Sequence, residues 1–243
     1  MEIIDASPGE YESAFPAPFH IYNSVAFNEI NRGKCQKLHY LLFKEGKIRF
    51  GLIACQSNHE LISPFSAPFG GLSYSNEFPD LQFLEKALLA LDDFASNNFC
   101  KSINLVLPPL FYAGSHLSVL VNTAIRHHYS IQSADLNHLF KTAHLNTVNP
   151  EGLMARNARK NLAISLKNNL TFRTPDHVGI DAAYPIIKTN REAKGFQLKM
   201  SLSALHETAK VVRIDSFVVS YEDQYIAAAI VFHVAKEIVQ VIY

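Results

Sequence analysis

The distribution of apolar and polar residues predicts two similar β-hairpins, one near each end of the chain. Apolar residues alternate with polar ones over residues 38–43 and 48–56, on either side of a Glu45-Gly46 turn, which is typical of a β-hairpin. Sliding the sequence by 177 positions places residues 40–65 on residues 217–242 without a gap, with Gly46 on Asp223. A helical segment precedes each copy. The pattern therefore predicts an internal repeat, although two unrelated amphipathic hairpins could also align in this way.

Further elements follow from the same periodicities. In the first half they are helices over 22–34, 81–96 and 115–128 and strands over 60–66, 102–107 and 131–140. In the second half they are helices over 151–168, 181–192 and 201–212, a strand over 170–173, and the second hairpin followed by the beginning of a third strand. Because residues 141–150 are the predicted junction, we expect one domain at 1–145 and a partial second domain at 146–243.

Composition and charge limit the class of protein. The chain has 243 residues, 48% of them hydrophobic, which is enough for a substantial core. It carries 22 Lys and Arg and 22 Asp and Glu, so no global field attracts it to DNA or to acidic lipid. The longest apolar stretch, residues 225–234, is interrupted by His233 and is about half of what a membrane span requires. With no signal-peptide pattern at its acidic N-terminus, the chain is expected to be cytoplasmic and without a membrane span.

Cysteine and histidine spacing give no sign of a metal site. Cys35, Cys55 and Cys100 are odd in number and form no C-x-x-C pair, which argues against a disulfide scaffold or a cysteine-based zinc site and fits a reducing compartment. Cys55 lies among apolar residues and is interpreted as a core residue, not a nucleophile. We expect no metal because the histidines lack metal-binding spacing; those considered are His127, His128, His138, His144, His206 and His233. On its apolar strand, His233 would need a partner if it faces inward.

Three segments carry a resemblance to a known family. They are MARNARKNLA at 154–163, NNLTF at 168–172 and NREAKGF at 190–196. Together with the element order they resemble the FemAB-like branch of the GNAT acyltransferase superfamily. The resemblance implies an α/β fold of α+β type. It would consist of two tandem GNAT-like domains with mixed, mostly antiparallel sheets flanked by helices, the second domain truncated.

Two features depart from the family pattern. The GNAT pyrophosphate loop, an Arg/Gln-x-x-Gly-x-Gly/Ala stretch at a helix start, occurs nowhere in the sequence. Residues 63–71 stand in its place in the first unit and are too rich in proline to present consecutive N–H groups to a phosphate. In the second unit the corresponding place lies beyond Tyr243. The tRNA-associated helical arm of the family is also absent.

Two basic clusters are the candidate binding residues. At 100° per residue, Arg156, Arg159, Lys160 and Lys167 fall within a wedge of about 100°, and such a cluster suits a phosphate or carboxylate. The apolar stripe through Ala158, Leu162 and Leu166 should pack this helix. Asn190, Arg191 and Lys194 form a second cluster before Gly195. The alternatives are a solvated helix face and an ordinary helix C-cap. The substrate-binding candidates are therefore Arg156, Arg159, Lys160, Asn190 and Lys194, and no catalytic or cofactor-binding residue is assigned.

The function that the resemblance implies is transfer of an acyl or aminoacyl group to an amine of a cell-envelope or saccharide precursor. Acyl-CoA or aminoacyl-tRNA would be the co-substrate, and no cofactor would be tightly bound. An open second sheet would also allow a homo-oligomer. The alternative is a non-catalytic binding or assembly protein that retains a degenerate GNAT fold.

Overall fold

The computed structural model describes residues 1–74, 80–142, 150–174 and 178–243. The chain divides into two compact units. Unit 1 comprises Met1–Ala134 and Val234–Glu237, and unit 2 comprises Asp135–His233 and Ile238–Tyr243. The predicted junction at 141–150 lies mostly outside the described residues. Within the described ranges, no helix is both long and apolar enough to cross a bilayer.

Unit 1 is an α+β fold around one mixed sheet. Its strands have the order β1-β2-β3-β4-β6, with β5 on β3, and the described pairs are antiparallel except β4 with β6. The elements in chain order are β1 (Glu2–Asp5), α1 (Pro8–Ala14), a 3-10 turn (Ile21–Asn23), α2 (Val25–Ile30), a 3-10 turn (Arg32–Lys34), β2 (Lys37–Glu45), β3 (Lys47–Ser57), β4 (Glu60–Ser63), β5 (Ser73–Tyr74), α3 (Leu81–Asn97), β6 (Ser102–Leu105), a 3-10 turn (Leu110–Tyr112) and α4 (Gly114–Arg126).

The core of unit 1 lies between this sheet and α3. Leu84, Leu88 and Leu91 recur at helical spacing and are buried against sheet residues such as Leu41 and Leu52. A helix with such an apolar stripe gains most of its stability by covering a sheet face.

Unit 2 contains a four-stranded sheet of order β10-β9-β8-β7, whose described pairs are antiparallel. Its elements are a 3-10 turn (Pro150–Leu153), α5 (Arg156–Ser165), β7 (Leu170–Arg173), α6 (Ile180–Ala193), α7 (Leu202–Ala209), β8 (Ile214–Tyr221), β9 (Gln224–Ala235) and β10 (Ile238–Val241). The fold class predicted at the coarse level, α+β with mixed and antiparallel sheets flanked by helices, is confirmed.

The two units share an element order. Each has a strand, two helices, an antiparallel hairpin and a third strand, and the strand orders β1-β2-β3-β4 and β7-β8-β9-β10 correspond. The aligned turn residues Gly46 and Asp223 both have positive φ, at +70° and +61°. Both hairpins also carry a register shift just before the turn, at Phe43/Lys44 and Val219/Ser220. The two hairpins lie in separate sheets, as the predicted repeat requires.

Three predicted elements differ from the structure. The strand predicted at 131–140 is irregular chain, because its apolar residues do not alternate and therefore define no face; Leu136 is 84% exposed. The helix predicted at 22–34 is α2 with a 3-10 turn on each side, and the helix predicted at 151–168 is regular only over α5. The pattern missed β1 and α1, although Ser7 and Glu10 form a capping box at the start of α1.

The expectation against a disulfide was wrong. Cys35 and Cys55 form a disulfide with Cα atoms 5.7 Å apart, and Cys100 is free. Leu38 pairs with Cys55 in the β2–β3 register, so the chain entering β2 brings Cys35 beside Cys55. An odd cysteine count could not show this, and the argument for a reducing compartment loses its basis. The interpretation of Cys55 as a core residue is confirmed, since it is buried.

Replacing Cys35 with Ser should lower the free energy of unfolding by about 3 kcal/mol, because the closed loop spans 20 residues. Chemical denaturation of protein purified under oxidising conditions measures this change. The matched control is Cys100→Ser, which removes a thiol but no crosslink. Equal effects of the two substitutions, or three alkylated cysteines in the unreduced denatured protein, would contradict the prediction.

Candidate functional site

The carboxyl ends of β4 and β6 mark the candidate site of unit 1. These strands are parallel, with Glu60 opposite Ser102 and Ser63 opposite Leu105. Both chains therefore leave the sheet at the same edge. The segments that follow β4 and β6 therefore meet at this edge, and because loops held by a rigid sheet often carry functional residues, it is the candidate site of unit 1.

The loop that follows β4 is held against this edge by backbone hydrogen bonds. Val106 N–H donates to the Ser63 carbonyl at 2.8 Å, and Gly70 N–H donates to the Val106 carbonyl at 2.8 Å. The Asn23 side-chain amide donates to the Gly71 carbonyl at 3.1 Å. Gly71 has φ +93°, and a Cβ there would lie 2.9 Å from Leu107 Cδ2. The loop therefore closes over the strand ends and leaves only a small space beneath it.

That space is an apolar cavity of about 20 Å³, hereafter the unit-1 cavity. Leu84, Leu107, Leu117 and Leu120 form part of its apolar wall, and His20, Tyr74 and His116 are its polar lining residues. Tyr74 stacks on His116 with ring centroids 4.5 Å apart, and His20 meets Phe69 edge to face at 5.0 Å. A cavity of this size accommodates about one water molecule, not a nucleotide or a sugar.

His20 is the unusual member of this lining. It is 1% exposed, and neither of its ring nitrogens has a hydrogen-bond partner in the part of the chain that the structure describes. Burial lowers the pKa of His20 to about 4 because an apolar environment disfavours the charged form, and the Gly70 backbone beside the ring opposes this shift. The imidazole is therefore neutral at pH 7, with one N–H donor and one acceptor nitrogen.

Tyr74 adds a second unpaired polar group. Its hydroxyl is buried and has no partner among the described residues. Burial raises the pKa of Tyr74 to about 12, so the hydroxyl keeps its proton at neutral pH. A buried donor or acceptor left unpaired costs about 1–3 kcal/mol, so this cavity holds polar groups at the expense of stability.

A second buried histidine in the same unit shows the usual arrangement. His39 is 0% exposed, yet its Nδ1 lies 2.8 Å from Asp5 Oδ2 and its Nε2 lies 3.0 Å from Gln56 Oε1. Burial alone therefore does not explain why the ring nitrogens of His20 lack hydrogen-bond partners among the described residues.

The predicted basic cluster lies on α5 in unit 2. Arg156, Arg159 and Lys160 are exposed, and within the described ranges none of them forms an ion pair. Arg159 Nη2 donates to the Met154 carbonyl at 3.3 Å. The predicted packing stripe was wrong, because no side chain of α5 is buried. Leu166, just beyond the helix, is 69% exposed.

Asn190 and Lys194 lie at the end of α6 and are also exposed. Phe196 N–H donates to the Arg191 carbonyl and Gly195 N–H to the Glu192 carbonyl, both at 2.9 Å. With φ +78° at Gly195, this is a Schellman C-cap. The cap explains the glycine that follows this cluster. No hydrogen bond or ion pair between described residues joins the α5 cations to Asn190 or Lys194.

His233 has the partner that its apolar strand required. Its Nε2 lies 2.6 Å from Asp215 Oδ2 on the neighbouring strand β8, and Arg213 Nε lies 3.4 Å from Asp215 Oδ1. The hydrogen bond from His233 holds the pKa of Asp215 below its usual value.

Sequence reasoning missed His20 and Tyr74. The available signal was a single polar ring within the aromatic-rich segment FPAPFHIY at 15–22. A search by metal spacing passes over such a residue. Among the described residues, no three side chains of the metal-binding types are grouped.

Comparisons with known proteins leave the family open. No model of a known protein family matches the chain, and no curated protein matches its sequence significantly.

Replacing Asp215 with Asn should lower the free energy of unfolding by about 1 kcal/mol at pH 7, because it weakens a charge-assisted hydrogen bond to His233. A carboxylate with a lowered pKa stabilises the fold above its unfolded-state pKa, near 4, and loses this contribution as the pH falls. The difference between the two proteins should therefore shrink below about pH 4. Denaturation curves from pH 7 to pH 2.5 measure it, and a constant difference would contradict the assignment.

Proposed function

We propose that this chain is an acyltransferase-like protein with two tandem GNAT-like units of the FemAB-like type. It would transfer an acyl or aminoacyl group to an amine of a cell-envelope or saccharide precursor. The observation that carries this proposal is the element order. Each unit has a strand, two helices and an antiparallel meander, and unit 1 continues through α3 into the parallel strand β6.

The chemistry of such a transfer asks little of side chains. It positions an amine against an activated acyl carbon and stabilises the developing oxyanion with backbone N–H donors. The proposal therefore does not depend on a nucleophile and base pair. It depends on a surface that holds and orients the acceptor.

The α5 helix is the proposed acceptor surface. Arg156 is its first helical residue, and Arg159 and Lys160 follow within the next turn and a half. Cations at this end of a helix oppose the macrodipole, which favours negative charge there. An acceptor phosphate or carboxylate would relieve this repulsion, and arginine can bind such a group bidentately.

A second function, non-catalytic binding or assembly, is favoured by the loop that follows β4. Its Gly70 N–H is already committed to the Val106 carbonyl. At the start of α3, Asp80 Oδ1 accepts from Gln82 N–H at 3.0 Å, and this carboxylate would repel a donor phosphate at the helix N-terminus. In that case unit 1 would retain the fold but would not bind a nucleotide-containing acyl donor.

Acetyl-CoA should bind this chain with a dissociation constant weaker than micromolar. The Gly70 N–H in the loop after β4 is already hydrogen-bonded to the Val106 carbonyl. At the start of α3 the Asp80 carboxylate would repel the phosphates of the ligand. Isothermal titration calorimetry measures the constant directly. A micromolar or tighter value would contradict the prediction and favour the catalytic function over simple binding.

Replacing Arg156 and Arg159 together with Ala should weaken binding of a nucleoside-diphosphate amino sugar by about ten- to a hundredfold. The physical reason is the loss of charge-assisted hydrogen bonds, worth roughly 1.5–3 kcal/mol. The free energy of unfolding should change by under about 0.5 kcal/mol, because both residues are exposed. Calorimetric titration and chemical denaturation of the same preparations measure both quantities.

A double variant, Lys101→Ala with Lys141→Ala, is the matched control. It removes the same charge from exposed sites outside α5 and should leave binding unchanged. Equal losses in both double variants would indicate general electrostatic attraction. Unchanged binding in the arginine variant would leave α5 as a solvated helix face.

A further inference from the structure

One side of α5 combines positive charge with exposed apolar side chains. At 100° per residue, continued through Lys167, an arc of about 160° around the helix has cations in its middle and an apolar residue at each margin. In order around the arc, these residues are Leu166, Arg159, Arg156, Lys167, Lys160 and Ile164. Leu166 is 69% exposed and Ile164 is 51% exposed, and the four cations are exposed as well. This side of the helix is hereafter the α5 face.

The charge of this region is unbalanced, although the chain as a whole is neutral. Residues 152–173 contain no aspartate or glutamate. Their basic residues are Arg156, Arg159, Lys160, Lys167 and Arg173. No cation of the α5 face forms an ion pair with another described residue. The local field is therefore positive and favours a partner that carries several negative charges.

We propose that the α5 face docks on an anionic phospholipid bilayer. Its cations would meet the headgroup phosphates, and Leu166 and Ile164 would enter the boundary between the headgroups and the acyl chains. Basic helices with exposed apolar residues bind membrane surfaces in this way, lying parallel to the interface. The inference rests on the proposed role of α5 as an anion-binding surface and identifies the partner of that surface. It requires no transferase activity.

The arrangement of the α5 face suits the layered chemistry of a bilayer surface. Each exposed apolar residue borders a cation around the helix, with Leu166 next to Arg159 and Ile164 next to Lys160. Long basic side chains can extend to the phosphates while apolar side chains enter the less polar layer beneath them. Attraction to anionic lipid and burial of apolar area therefore act on the same side of the helix.

The exposed apolar residues favour a bilayer over other polyanions. The phosphates of a nucleic acid would pair with the cations, but they offer no apolar surface to Leu166 and Ile164. A soluble phosphorylated compound has the same deficiency. Because apolar side chains gain free energy only when they leave water, the bilayer is the partner that uses every residue of the α5 face.

Co-sedimentation of the full chain with vesicles tests the charge requirement. The vesicles contain phosphatidylcholine alone or phosphatidylcholine mixed with phosphatidylglycerol. We expect binding to the anionic vesicles only. That binding should be lost when the NaCl concentration rises from about 0.1 M to about 1 M, because the Debye length falls from about 10 Å to about 3 Å.

Two double variants locate the cations. Replacing Arg156 and Arg159 together with Ala should weaken binding to the anionic vesicles by about 30-fold, at about 1 kcal/mol per cation near the surface. Lys101→Ala with Lys141→Ala removes the same charge from exposed sites outside α5 and should leave binding unchanged.

Further variants test insertion of the apolar residues. Ile164→Asn with Leu166→Asn should weaken binding to the anionic vesicles by about tenfold or more. The matched control is Leu89→Asn with Ile125→Asn, at sites that are 52% and 51% exposed, and it should leave binding unchanged. The chain has no tryptophan, so Leu166→Trp supplies a single fluorescent probe. Its emission should shift to shorter wavelength on anionic vesicles, and that of Leu89→Trp should not.

Several results would overturn the docking. Equal binding to neutral and anionic vesicles would remove the role of charge, and equal losses in the arginine and lysine double variants would remove the role of α5. Binding that survives Ile164→Asn with Leu166→Asn, together with an unshifted Leu166→Trp emission, would show that the helix meets phosphates without entering a bilayer.

Calorimetric titration with the nucleoside-diphosphate amino sugar distinguishes this inference from the proposed function. If the sugar binds through Arg156 and Arg159 and the vesicles do not bind, the acceptor surface stands and the membrane docking fails. If the vesicles bind and the sugar does not, the docking stands and the soluble acceptor fails. If neither binds, α5 is not an anion-binding surface and both proposals fail.

Discussion

The parallel pairing of β4 with β6 is the constraint on which the rest of unit 1 depends. Antiparallel neighbours need only a short turn, whereas parallel neighbours need a crossover, which here is α3. The crossover covers one face of the sheet and supplies Leu84, Leu88 and Leu91 to the core. It also makes both strands end at the same edge. The loop after β4 must close over that edge, and the unit-1 cavity is what remains beneath it.

The sequence predicted correctly those elements that depend only on the residues within them. The hairpins follow from alternation and from turn residues such as Gly46, and α3 follows from leucines at helical spacing. The Cys35–Cys55 disulfide depends instead on the register that places Leu38 opposite Cys55, and register is not a local property. The predicted strand at 131–140 had apolar content but no alternation, so content alone could not give it a buried face.

The two candidate sites also differ in whether the sequence could predict them. The cations on α5 could be predicted because they are neighbours in sequence and share one helix face. His20 could not, because its isolation depends on Phe69 and Tyr112, which lie far along the chain. His39 is buried to the same degree but meets Asp5 and Gln56. Residue type and burial are therefore insufficient to identify a functional histidine, and the decisive information is which groups the fold brings to its nitrogens.

Both candidate sites share a physical property that ordinary structural residues lack. His20 is held where its nitrogens have no described partner, and Arg156 stands where the dipole of α5 opposes its charge. Each placement lowers stability locally, and among the described residues no ion pair compensates for either. Natural sequences violate local rules of this kind chiefly at functional positions. An anion bound at α5 would remove the local penalty on Arg156, whose charge opposes the helix dipole.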